Sequence, residues 1–551
     1  MGMQALYPLL KSDPLSNFVI LATGLFFILT LIYSMGFRRE EPKNFQYYFC
    51  IILTAIASAG AVLSNNLILL LVFWGILGLT LYILISMGGE GTDAVAKKTF
   101  IIVGGSDALM LLGVAVIYQL SGTLQMDSIK IFLNSKLAVF AYLCMAIACF
   151  AKAGAMPFHS WIPECAEKAP LPVVAYLPAS LDKLLGIYLL ARISMDLFVM
   201  DRAMNLLLMF IGAFTIIAAV MMALVQHSMK KLLGYHAVSQ VGYMVLGIGT
   251  GIPIGIAGGL FHMLNHAIYK SCLFFTAGNV QYRTKTTELD ELGGIAKLMP
   301  LTYVSCLIAS LSISGVPPFN GFVSKWMIYQ GLIGRFGGSE EHLPVVLCLA
   351  AAMFGSGLTL ASFMKLIHAT YLGQGSDATR KLTGRQEVPW TMWVPTVLLA
   401  VICIVFGVFA AQIPLKYFII PAVGGTTFMG TWYAGVSTLL VIAGLILGVL
   451  IFTTKGLKPR LRRDTVYIGG EVLDPEERVT GTDFYVSIKE FGALKGIYKK
   501  AEAGYFDIYD QGKTCVFAIG RFFQYLHNGI LPTYLVWTLL GMIFLFFALI
   551  R

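Results

Sequence analysis

Six ionisable side chains stand inside apolar stretches of this chain: Lys152, Lys183, His262, His266, Lys270 and Lys325. An ionisable group at membrane depth is by default a functional hypothesis. Burial disfavours a lysine's charged form, and a neighbouring carboxylate favours it. A lysine whose neighbour changes charge is therefore a switchable proton site. His262, His266 and Lys270 follow at intervals of four in "GGLFHMLNHAIYKSCLFF", which places them along one helix face. Histidine titrates near neutral pH and suits proton relay. Lys183 lies beside Asp182 in "PASLDKLLGIYLLARI", and Lys365 and His368 form a secondary pair close to a loop in "LTLASFMKLIHATYLG". Blander readings stand beside these. Lys152 is near enough to a stretch end to snorkel towards an interface. A single histidine in an apolar helix is usually a satisfied polar group. Lys230 and Lys231 belong to a basic loop and read as topological.

These residues need helices that cross a membrane and helices that stop within it. The chain has 551 residues, 58% hydrophobic and 12% charged, with mean hydropathy +0.79. Soluble domains carry roughly 25% charged residues. Runs of about 20 apolar residues, enough to cross about 30 Å of hydrocarbon, recur along the chain and predict about fourteen spans. Long continuous runs mean helices, not the short alternating strands of a barrel. The runs lie at 17–36, 45–63, 66–87, 98–121, 136–156, 170–192, 205–225, 231–250, 254–278, 300–322, 342–372, 393–411, 432–453 and 531–550. Two are interrupted alike. "AKAGAMPFHSWIP" carries Pro157 after Lys152, and "SISGVPPFNGFVSKW" carries Pro317 and Pro318 before Lys325. Proline breaks a helix, and paired broken helices in two halves of a chain point to an inverted-repeat transporter. Prolines are also common in membrane helices for no such reason.

The basic loops alternate, so the positive-inside rule puts most of them in the cytoplasm and the N-terminus outside, in a cell inner membrane. The formal charge of +10 is then a loop excess, not a nucleic-acid surface. Nine scattered cysteines with no CxxC pair argue against a cluster or zinc site, and no cofactor is expected on this chain. No cleavable signal peptide is evident at the N-terminus. "GGEGTD" and "GTGIPIGIAGG" lack the strand–loop–helix setting of a phosphate site. Residues 454–530 are polar, with Gly469, Gly470, Pro475 and Gly481. Tyr485, Ile488, Phe491, Leu494, Ile497 and Tyr498 then repeat at helical spacing. This reads as an amphipathic helix along the membrane face or as a small cytoplasmic cap.

Four stretches carry a resemblance: "AKAGAMPFHSWIPECAEKAPLPV", "KKLLGYHAVSQVGYMVLGIG", "GGLFHMLNHAIYKSCLFFTAG" and "MPLTYVSCLIASLSISGVPPFNGFVSKW". Together they resemble the antiporter-like subunits of respiratory complex I (NADH-quinone oxidoreductase), of Mrp sodium/proton antiporters and of group 4 membrane-bound hydrogenases. The resemblance implies an all-α polytopic fold with two inverted five-helix repeats, each with a broken helix. A lateral amphipathic helix and an anchoring span would follow. It implies N-terminal helices at 1–65, halves at 66–225 and 226–411, a further membrane region at 412–453, the polar segment at 454–530 and the anchor at 531–551. Lys152 looks like the proton-carrying lysine of the first broken helix, and Lys183 like its relay. His262 and His266 look like the bridging histidines, continued by Lys270. Lys325 looks like the outlet lysine of the second broken helix.

The implied function is proton, or sodium/proton, translocation within a redox-driven complex of several membrane subunits. The chain itself would carry no redox chemistry. Rivals are an Mrp-type antiporter subunit, a membrane scaffold with reduced conduction, and a bicarbonate-uptake partner. One departure matters. The family reads Phe-Trp-Glu where this chain has "VFWGILG", so Gly75 stands in place of the glutamate that pairs with the first lysine. Asp107 and Asp182 are the nearest carboxylates by sequence to replace it. His159 and Trp161 are expected at the cytoplasmic mouth.

Overall fold

The computed structural model describes residues 9–39, 44–336, 342–380, 384, 387–427, 434–453 and 481–550. The apolar runs predicted from sequence fall on helices, except that the run at 300–322 covers one helix, Pro300–Ser314, the break at Gly315 and the start of a second helix, Asn320–Phe336, for which no separate run was predicted. Ten described helices are long and apolar enough to cross a membrane. They begin with α1 (Pro14–Phe37), α2 (Asn44–Leu63), α3 (Leu67–Ser86), α4 (Thr92–Ser121) and α5 (Lys136–Ala153). A short helix, α6 (Trp161–Lys168), precedes α7 (Leu171–Leu197) and α8 (Arg202–Leu224). Next come α9 (Met229–Gly249), α10 (Pro253–Thr284), α11 (Pro300–Ser314) and α12 (Asn320–Phe336). The first unit closes with α13 (His342–Leu372), α14 (Trp390–Val408) and α15 (Ala434–Thr453).

The chain divides into two compact units, Met1–Lys489 and Glu490–Arg551. The second unit holds α16 (Gly492–Glu502), α17 (Ile508–Leu526) and α18 (Leu531–Ile550). The single amphipathic helix expected here is two helices, separated by the turn around Gly504 (φ 77°). The periodic stretch that suggested it is split. Tyr485 and Ile488 lie in a 3₁₀ segment, Gly481–Glu490, and both belong to the first unit. Gly469, Gly470 and Pro475 lie outside the described residues.

Helix starts are set by local chemistry. Asp13 caps α1, its side chain accepting from the Ser16 N–H while the Ser16 hydroxyl approaches the Asp13 backbone. Asn66, Ser135 and Asp201 cap α3, α5 and α8 in the same way. Helices meet closely where glycine permits it. A Cβ at Gly212 on α8 would stand 2.7 Å from the Gly242 carbonyl oxygen on α9, and one at Gly242 would stand 2.6 Å from that of Gly212. Small residues let membrane helices approach until van der Waals packing holds them. The buried cluster of Met209, Ile216, Tyr243, Leu246, Ile328 and Val345 fills the seam among α8, α9, α12 and α13. The 32-residue α10 packs against α7, α9, α11, α12 and α14, so it touches both predicted halves.

Polar contacts assign the loops to two faces. On one, Arg192 pairs with Asp13 at 2.5 Å and with Asp196 at 2.9 Å, and Lys11 pairs with Asp127 at 3.1 Å. Together with Lys130 these line a polar cleft of about 370 Å³. On the other, His227 Nδ1 lies 3.0 Å from Asp290, and the Met229 N–H donates to the Thr287 carbonyl at 3.0 Å. Lys98 on α4 and Lys231 on α9 pair there with Glu164 and Glu167 of α6.

Burial pushes the Asp13 carboxyl upward, but the Ser16 N–H and the Arg192 guanidinium outweigh it and hold it below its ordinary 3.8. Its contribution is full above that value and is lost as pH falls through the lower folded value. Thermal unfolding of Asp13→Asn, Arg192→Gln and the double variant in detergent should give a coupling of about 1 kcal/mol or less at pH 7. That coupling should shrink below pH 3.8. A coupling that grows on acidification would contradict the assignment.

Candidate ion-translocation axis

α5 stops because Gly154 turns left-handed, with φ 83°. A side chain there would strike Ile162 and stand 3.7 Å from Lys183 Nζ. Lys152 lies two residues before the turn and is fully buried. Its Nζ is 3.7 Å from Asp182 Oδ1 and 5.2 Å from the Trp74 ring centre. Lys183 Nζ lies 5.6 Å from the Trp161 ring centre. Trp161 itself is buried, and its indole N–H donates to the Ala151 carbonyl at 3.0 Å. It ties α6 to the end of α5 and does not form an exposed mouth. His159 is half-buried.

α7 carries Asp182 and Lys183 directly after a wide π turn, Leu177–Leu181. Pro178 lies within that turn, and a proline has no N–H to give to the helix ladder. The Ser180 hydroxyl donates to the Ala175 and Tyr176 carbonyls, and Ala175 also accepts from Ser271 of α10 at 2.9 Å. Single π turns inside helices recur at functional sites. Other π segments among the described residues are Ile193–Leu197, Ala411–Ile419 and His368–Leu372, the last following Lys365.

On α10, His262, His266 and Lys270 are all buried. His262 Nδ1 lies 2.9 Å from Ser324 Oγ, and its Nε2 lies 3.1 Å from Gln240 Oε1 and 3.3 Å from the Tyr269 hydroxyl. Lys270, Lys183 and His262 are the ionisable groups whose charges reach His266. Among the described residues, neither ring nitrogen of His266 has a hydrogen-bond partner, nor has the Nζ of Lys183 or Lys270.

The second break repeats the first. α11 ends where Gly315 turns left-handed, with φ 80°, and a Cβ there would lie 3.7 Å from Lys325 Nζ. Lys325 is buried on α12, donates to the Ile313 carbonyl at 2.9 Å and lies 4.6 Å from the Tyr243 ring centre. The expectation that Pro157, Pro317 and Pro318 end the helices is corrected. Glycine ends each helix two or three residues earlier, and the prolines stand inside the connections. Lys365 is buried and donates to the Leu224 carbonyl at 2.9 Å. His368 is half-buried, its ring 5.3 Å from Phe484.

Residues 64–336, which hold all of these groups except Lys365 and His368, match the family described as NADH:quinone oxidoreductase/Mrp antiporter, TM. NADH-quinone oxidoreductase subunit N of Desulforudis audaxviator is 30% identical over 421 residues, covering 73% of this chain and 82% of that protein. The chain belongs to this family. Hydrogenase-4 component B of Escherichia coli is 30% identical over 74% of this chain, and the match spans 63% of that protein's length. A chain of the archaeal membrane-bound sulfane sulfur reductase complex shares the fold. Its TM-score is 0.79 at 23% identity, covering 98% of this chain and 89% of that one.

The structure gives the missing family glutamate a physical setting. Gly75 lies on the exposed side of α3, with no described atom within 4 Å of where its Cβ would stand. Trp74, one residue earlier, is the side chain directed at Lys152. Asp107 comes from α4 instead. Its Oδ2 would lie 3.5 Å from a Cβ at Gly78, one turn along α3, and Lys152 and Trp74 are the groups that act on it. Asp182 faces Lys152 from α7. Of the two carboxylates named from sequence, Asp182 therefore stands 3.7 Å from Lys152, and Asp107 acts on it through its charge. Sequence reasoning passed over His236, Gln240, Tyr243 and Ser324. The first three fall at helical spacing within "GYHAVSQVGY", a run of polar groups in an apolar helix that could have marked them. Gly75→Glu should leave proton uptake by vesicle-reconstituted protein unchanged, because its carboxylate projects away from Lys152. Asp107→Asn should lower the rate several-fold. Recovery of a faster rate in Gly75→Glu would overturn this geometry.

Proposed function

We propose that the chain moves protons, or exchanges sodium for protons, across a cell inner membrane as one subunit of a redox-driven complex. The observation that carries this reading is the buried Lys152–Asp182 pair at 3.7 Å, set at a helix end and continued by Lys183, His266, His262 and Lys325. A change of charge near Lys152 alters its attraction to Asp182. The proton it releases passes to Lys183, then along the histidine face of α10 to Lys325 at the second helix end. Groups without a fixed partner, as at His266 and Lys183, exchange protons through intervening water more readily than groups locked in strong bonds.

The redox centres belong to partner subunits, and this chain binds no cofactor in this reading. The likeness to a chain of an archaeal respiratory membrane complex supports an assembly of several membrane subunits. The basic residues on the Asp290 face support a cytoplasmic position for that face, with the N-terminus outside. An Mrp-type antiporter is the second reading, favoured by a family whose description spans both classes.

Lys152→Ala and Lys325→Ala in the reconstituted complex should each cut redox-driven proton uptake at least tenfold, with assembly unchanged. Uptake at the wild-type rate in both variants would end the proposal. Sodium-dependent proton exchange in vesicles that hold no redox partner would favour the second reading.

A further inference from the structure

We propose that His236 relays protons on a side branch that joins the central row to the face carrying Asp290, through Ser362 and Lys365. The branch rests on the proton-moving reading above. His236 is fully buried on α9. Its Nε2 lies 2.7 Å from the Ser362 hydroxyl on α13, and its ring centre lies 4.7 Å from that of Phe363. Its Nδ1 has no partner among the described residues.

The branch has a link at each end. Gln240 stands one helical turn from His236, on the same face of α9. Its Oε1 reaches His262 Nε2 at 3.1 Å, while its Nε2 has no described partner. On α13, Ser362 and Lys365 stand three residues apart on one face, and both are buried. Lys365 donates to the carbonyl of Leu224, the last residue of α8. His227 follows in the loop and lies 3.0 Å from Asp290. Asp483 and Asp290 are the carboxylates whose charges act on Lys365. Polar groups thus run from buried His262 on α10 to the charged loop face.

A histidine that only fastened α9 to α13 would need one hydrogen bond. Leaving its second ring nitrogen buried and unpaired costs free energy. That cost has a use if the nitrogen exchanges a proton. Lys270 on α10 and Lys325 on α12 are the cations whose charges act on His236. A proton arriving at His236 therefore repels two lysines of the main row. The branch is coupled to that row by repulsion as well as by hydrogen bonds.

The test uses the intact complex, purified through this chain and sealed in vesicles. Proton uptake is driven by an imposed potassium diffusion potential and read with a pH-sensitive dye. Glutamine can keep a hydrogen bond to Ser362 but cannot titrate. Both His236→Gln and His236→Ala should lower the initial rate at least fivefold, and Lys152→Gln should lower it too. A wild-type rate in His236→Gln with a loss in His236→Ala would reduce His236 to a packing contact and overturn the branch. Wild-type rates in both, with a loss in Lys152→Gln, would overturn the branch and spare the main row. Wild-type rates in all three would remove both. Where His236 variants fail to assemble, Ser362→Ala decides: a fivefold loss supports the branch and an unchanged rate overturns it.

Discussion

An ammonium group taken out of water costs several kcal/mol unless something inside the protein answers its charge. The rest of this fold is arranged around that constraint. Lys152 is answered by Asp182 and the Trp74 face. Lys325 is answered by the Ile313 carbonyl and the Tyr243 face. Lys365 takes the Leu224 carbonyl. Both carbonyls sit in the last turn of a helix, where backbone oxygens have no partner along the chain and carry partial negative charge. A helix end thus supplies an acceptor without adding a buried carboxylate. Lys183 and Lys270 have ring faces near them, Trp161 at 5.6 Å and Phe363 at 5.8 Å, which attract a cation more weakly than an ion pair does.

The two breaks solve one problem with the same backbone device. Each helix ends on a left-handed glycine, and each glycine leaves room for a lysine ammonium 3.7 Å from where a Cβ would be. In both cases the lysine comes from a helix that follows the break: Lys183 from α7 and Lys325 from α12. α10 spans the distance between them and carries titratable groups on one face. Because it packs on helices from both predicted halves, a change at one break has a rigid element through which to reach the other.

Much of this was legible in the sequence. Apolar run length located most of the helices because lipid leaves the backbone no alternative, but α12, with Asn320, Ser324 and Lys325 near its start, had no run of its own. Intervals of four placed His262, His266 and Lys270 on one face because the helix period is fixed. The helix ends were less legible. Proline drew attention to each break, yet glycine ends the helix. A left-handed residue leaves only a single glycine in the sequence as its mark. Direction was the other obscure property. The order Phe73–Trp74–Gly75 does not reveal that Trp74 faces Lys152 and Gly75 faces away, so the loss of a carboxylate at Gly75 read as a loss to Lys152. Only the packing of α3 on α4 shows Asp107 in reach of that site. His236 escaped notice because its partner, Ser362, is distant in sequence.

The central claim is that Asp182 answers the charge of Lys152 and so controls its proton. Asp182→Asn keeps the shape and removes the charge. Redox-driven proton uptake by the reconstituted complex, measured beside its electron-transfer rate, is the direct measurement. The account predicts that uptake falls at least tenfold while electron transfer continues. Uptake that keeps pace with electron transfer in Asp182→Asn would contradict it.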